Sequence, residues 1–101
     1  MGELVFILIC LFCPVRQYQL FDDHGKAAGF MATDCSVMWI KLKSEAVAEF
    51  SVESEFAAGV TRWYRVSNEY GHGWVVVRDR SMTVSLLIGR SHYDRTFKLK
   101  I

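Results

Sequence analysis

Ser91, His92 and Asp94, close together in GRSHYDR, are the residue types of a nucleophile, a base and its orienting acid. Such a triad converges when separated segments bring its members together, and neighbours on one turn rarely achieve that geometry. Arg90 to Arg95 therefore reads as a hairpin loop, and no catalytic residue is assigned. His24, His72 and His92 lie in stretches flanked by Asp or Gly, and no two are spaced as a ligand pair, so no metal is expected. Cys10-Leu-Phe-Cys13 has C-x-x-C spacing but lacks a second ligand pair for zinc and a βαβ setting for thiol redox chemistry. Within an apolar run these cysteines read as small hydrophobes, and with Cys35 they make too sparse a set for a disulfide framework. Gly71-His72-Gly73 belongs to neither a phosphate loop nor a complete dinucleotide fingerprint, and no cofactor is expected.

Aromatic side chains are the remaining chemical resource. Trp63, Tyr64, Tyr70 and Trp74 gather around one short polar stretch that also holds His72. Neighbours in a strand face opposite sides, so one of Trp63 and Tyr64 leaves the core unless both sheet faces are covered. Rings left outside beside glycines suit contact with peptides, sugars or bases, whereas rings turned inward simply fill a small core.

The elements that carry these residues are strands. Arg16 to Phe21 can pair with a following segment across the turn residues of DDHGK, and Gly29 in AAGFMATDCS reads as a bulge. From Val37 to Lys43, Met38, Ile40 and Leu42 alternate with Trp39, Lys41 and Lys43. Val47 to Phe56 is helical in composition but alternates, placing Ala48, Phe50, Val52, Ser54 and Phe56 on one face, and Ala57 to Gly59 breaks the pattern. Thr61 to Ser67, Trp74 to Arg78 and Met82 to Ile88 follow, with Asn68 to Gly73 as a loop. The terminal TFKLKI alternates most cleanly, and its lysines suit a sheet edge. About seven or eight strands at short spacing, with no long helix beyond the apolar N-terminal segment, predict a small antiparallel β-barrel or β-sandwich.

Length and composition agree with one domain: 101 residues, 51% hydrophobic, one proline. Residues 1–15 form an apolar segment of their own, with 16–101 as a single β domain. Leu4 to Cys13 is ten apolar residues, too short to span a membrane as a helix. It fits a fully buried strand, or the core of a signal peptide that lacks the positive n-region and small cleavage residues. The compartment stays open between cytoplasmic and secreted.

Trp63-Tyr64-Arg65-Val66, a polar turn with Gly71, then Gly73-Trp74-Val75 resembles the closing hairpin of bacterial SH3-like domains, and Leu42 to Val47 is similar to the stretch preceding it. The resemblance, over residues 42–77, implies a small barrel that binds peptides or cell-wall polymers through aromatic residues without catalysis. Two function classes follow. The first is a non-enzymatic interaction module using Trp63, Tyr64, Tyr70, His72 and Trp74, with a protein, peptide or polysaccharide partner or a second copy of the chain. The second is a nucleic-acid-binding protein. Net charge is +1 overall, but the chain from Val76 onward carries six Lys/Arg against two Asp/Glu, namely Arg78, Arg80, Arg90, Arg95, Lys98 and Lys100 on the basic side.

Overall fold

A computed structural model describes residues 14–43 and 48–100. The apolar run before Pro14, with its strand-like and signal-like readings, and residues 44–47 lie outside the described residues. Eight strands follow in chain order: β1 (Arg16–Phe21), β2 (Ala27–Thr33), β3 (Val37–Leu42), β4 (Ala48–Ala58), β5 (Thr61–Ser67), β6 (Gly71–Arg78), β7 (Ser81–Ile88) and β8 (Ser91–Lys100). Each is antiparallel to the next, and β8 returns to β1, so the sheet closes into a barrel. Of the two architectures the strand pattern allows, closure selects the barrel.

Alternation explains the core. Met38, Ile40 and Leu42 of β3 point inward, as do Tyr64 and Val66 of β5, Val75 and Val77 of β6, and Phe97 and Leu99 of β8. Each such side chain contributes about 1.5–3 kcal/mol on leaving water. Lys98 and Lys100 pair across β1 with Phe21 and Gln19 and project outside. They guard no edge, because closure removes it.

In an up-and-down barrel the connections alternate between ends. The β1–β2, β3–β4, β5–β6 and β7–β8 connections share one end. The β2–β3, β4–β5 and β6–β7 turns share the other, where β1 begins and β8 finishes. The first turn is as expected: Asp22 Oδ1 accepts from the His24 and Lys26 amides, and Gly25 takes a left-handed φ of 79°. In the β2–β3 turn Asp34 Oδ1 accepts from the Ser36 and Val37 amides, and Cys35 is disulfide-bonded.

Four further expectations change. The strand at 47–56 continues to Ala58, and a register shift between Val52 and Ser54 inserts one extra residue opposite β5. One added residue exchanges the faces, so Phe50 stays inside while Phe56 is turned outside and Glu55 inside. The bulge expected at Gly29 lies beside it, where β2 skips Ala28 between the partners of Leu20 and Phe21. The expected loop at 68–73 shrinks to Asn68–Tyr70, with Gly71 and Gly73 already in β6. Those glycines serve strand approach: a Cβ on either would overlap a β7 carbonyl oxygen, that of Leu87 or Ser85. Finally, GRSHYDR is no loop. The turn is Gly89–Arg90, and Ser91, His92 and Asp94 lie in β8 opposite Ile88, Leu87 and Ser85. Residues on consecutive positions of one strand alternate faces, so Ser91 and His92 point apart.

Candidate binding surface

The outer wall of β4, β5 and β6 holds Trp63 and Trp74, joined there by Phe56. Phe56 pairs with Trp63 across β4–β5, their ring centroids 5.4 Å apart and tilted by 40°. Trp63 pairs in turn with Val76 of β6, and two pairs further along, next on the same face, Arg65 faces Trp74. The Arg65 guanidinium lies 5.9 Å from the Trp74 ring centroid, within cation–π range, while its Nε approaches Glu53 Oε2 at 3.2 Å. Trp63 and Trp74 are diagonal neighbours on the same face, within reach of each other for rings of this size. Phe56 is 63% exposed and Trp74 44%, so the patch is open to solvent.

Tyr70 lies at the tip of the β5–β6 turn, 70% exposed. Asn68 Oδ1 fixes that turn by accepting from the amides of Tyr70 and Gly71, and the neighbouring Glu69 carboxylate raises the Tyr70 phenol above its ordinary pKa. His72 is exposed on the outer face, opposite Ser67 and Leu87. Tyr64 is elsewhere. It is fully buried inside the barrel, so of the pair Trp63–Tyr64 the tryptophan is the one outside. Phe56 and Arg65 belong to the patch but were not singled out from sequence. The bulge that turns Phe56 outward falls in Ser51-Val52-Glu53-Ser54, which contains no glycine or proline to announce it.

The six basic residues divide between the two ends. Arg78 and Lys98 both face Ser81, giving one cross-strand row, with Arg80 in the β6–β7 turn and Lys100 near the end of β8. Arg90 lies in the β7–β8 turn at the opposite end, and Arg95 belongs to the inner face of β8. All six are exposed.

Inside the barrel at the β4–β5 end, Glu55 Oε1 accepts from Arg16 Nη1 and Arg62 Nη1, each at 3.0 Å. Tyr64 lies beneath them. Burial, and then the Glu55 charge, raise its phenol above the ordinary range, while Arg16 pulls the other way. Among the described residues no group meets Tyr64 Oη at hydrogen-bond geometry, so the contact with Arg16 is electrostatic. Among the described residues no cluster of three or more His, Cys, Asp or Glu could hold a metal ion, and no helix is long and apolar enough to cross a membrane.

The fold and this surface define an all-β, closed eight-stranded antiparallel barrel with an aromatic outer patch. No family model, curated protein or solved structure matches the chain.

Proposed function

We propose that the protein is a non-enzymatic binding module that engages a protein or peptide partner through the outer face of β4–β6. The observation that carries this reading is the outward-facing run Phe56, Trp63, Arg65 and Trp74 on three neighbouring strands, half-buried at Trp63 and exposed at the other three. Tryptophan and arginine are the residues that most often dominate binding energy at interfaces, and a closed sheet holds them rigidly, so little conformational entropy is lost on binding. Tyr70 and His72 extend the surface toward the β5–β6 turn. The resemblance of this hairpin to SH3-like domains supports the same reading by analogy of shape and aromatic content.

A photo-crosslinking residue in place of Phe56, introduced in the cells that make the protein, tests it. The expected result is a discrete protein adduct, including an adduct with a second copy, that is lost in the Trp74→Ala background. Adducts absent or unaffected by Trp74→Ala overturn it. The row formed by Arg78 and Lys98, with Arg80 and Lys100 beside it, favours a second reading, binding of single-stranded nucleic acid. In that case log affinity falls with log salt at a slope of about −0.7 per phosphate neutralised. Affinity independent of salt excludes it.

A further inference from the structure

The barrel is not filled at the β5–β6 end. A cavity of about 300 Å³ opens there, walled by Ile40, Phe50, Val84, Leu86 and Phe97, with Tyr70 at its rim. An eight-stranded barrel is the size at which the interior either fills with side chains or holds one small ligand. This volume lies at the lower edge of ordinary ligand sites, ~300–1,000 Å³. Polar groups at the wall are few. Asn68 is one, and its side chain is committed to the turn and to the Glu49 carbonyl oxygen.

One charge stands beside this apolar space. Arg95 pairs across β7–β8 with Val84, whose side chain lines the cavity, and alternates with Tyr93 and Phe97, which line it too. Its side chain thus starts from the inner face of the wall. It reaches solvent because β1 pairs with β8 only from Lys98 to Lys100, which leaves the β1 side of Arg95 uncovered. The Arg95 guanidinium carbon is 4.9 Å from the centroid of the Phe97 ring, and it has no carboxylate partner among the described residues. An uncompensated guanidinium over a ring that forms the wall of an apolar cavity is complementary to a molecule with an apolar tail and an anionic head.

We infer that the barrel end binds a small alkyl or aryl carboxylate, its chain in the cavity between Phe50 and Leu86 and its carboxylate on Arg95. The site is separate from the outer aromatic face and stands whether or not that face binds a partner.

Titration of the full chain with octanoate, octanol and octylammonium, followed by amide resonance shifts, tests the assignment. Octanoate is expected to saturate and to shift β7 and β8 residues around Leu86 and Phe97, with octanol about tenfold weaker and octylammonium weaker still. Arg95→Gln should bring octanoate down to the affinity of octanol and leave octanol unchanged. Ala48→Trp, which places a large ring in the cavity, should abolish both. The inference is overturned if octanol matches octanoate in the native chain, if Arg95→Gln leaves octanoate binding intact, if a folded Ala48→Trp variant still binds, or if no probe shifts those resonances. Should Ala48→Trp fail to fold, the Arg95→Gln comparison decides alone.

Discussion

The two ends of the barrel solve the same problem differently. At the β4–β5 end the inward positions carry Arg16, Glu55 and Arg62, an ion-paired group that caps the interior above Tyr64. At the β5–β6 end the cavity wall is mostly apolar, with Arg95 the charge beside it on the inner face of β8, and the interior remains open. Strand β7 records the gradient on one face: Met82, Val84, Leu86 and Ile88 are 0, 3, 4 and 41% exposed in sequence order. Charge can close a barrel end where carboxylate and guanidinium satisfy each other. An apolar end that is left open keeps room for a molecule of matching chemistry.

The largest expected effect sharpens this gradient. Met82→Ala removes a side chain from close packing and should cost about 3–4 kcal/mol, since the deleted volume becomes new cavity. Leu86→Ala only enlarges an existing space, so its cost should lie near the lower bound, about 2 kcal/mol. Ile88→Ala at the rim should cost less than about 1 kcal/mol. Denaturant unfolding of the three variants checks the order, and equal costs would mean that the two ends are equally packed.

Glu55→Ala probes the closed end. It leaves Arg16 and Arg62 converging with no carboxylate between them, and because the group is only partly screened by solvent the expected cost is about 1–2 kcal/mol. Glu53→Ala breaks a comparable pair with Arg65 on the outer wall, where both side chains are about half exposed, and should stay within about 0.5 kcal/mol. A Glu53 variant as costly as the Glu55 variant would remove the distinction between capping and surface charge.

Asp34, in a turn at the closed end, gives a smaller effect with a definite pH dependence. Burial alone would raise its carboxyl, but the Ser36 and Val37 amides and the Ser36 hydroxyl hold it below the ordinary value. A depressed folded pKa contributes stability that is present above the unfolded value of about 3.9 and lost as pH falls through the folded one. Asp34→Ala should therefore cost about 1 kcal/mol at neutral pH, and the difference from the native chain should shrink in acid. A pH-independent difference would assign the turn's stability to something other than this carboxylate.

These residues also show what could be read from sequence. Period-two alternation marked β3, the first part of β4 and the end of β8 because each has one face in the core and one in water. The Asp22–Lys26 turn was legible because its chemistry is local. The bulge in β4 was not, since nothing in Ser-Val-Glu-Ser requires it; with it went the outward placement of Phe56 and the inward placement of Glu55. That Trp63 and Tyr64 must part was readable, but which one enters the barrel depends on register with β4 and β6. Gly71 and Gly73 looked like turn residues because close approach to β7 is a property of the assembled sheet. Arg16 and Glu55 are 39 residues apart, and Arg95 reads as one more basic residue until closure places its strand partner in a cavity wall.

Tyr64 gives the smallest effect and tests whether the closed end is fully satisfied. Its hydroxyl is buried without a hydrogen-bond partner among the described residues, so Tyr64→Phe removes a polar atom that costs desolvation and returns little. At neutral pH the variant should match the native chain or exceed it by less than about 1 kcal/mol. The alkaline limb separates the two further. A phenol whose folded pKa is raised contributes stability that is complete below the unfolded value of about 10 and is lost as pH rises through the folded value, because ionisation then favours the unfolded chain. Phenylalanine has no such term, so the variant should resist alkaline unfolding better. A loss of about 2 kcal/mol at neutral pH would instead show that Arg16 and Tyr64 form a bond in solution that completes the cap, and the closed end would then owe its stability to four groups rather than three.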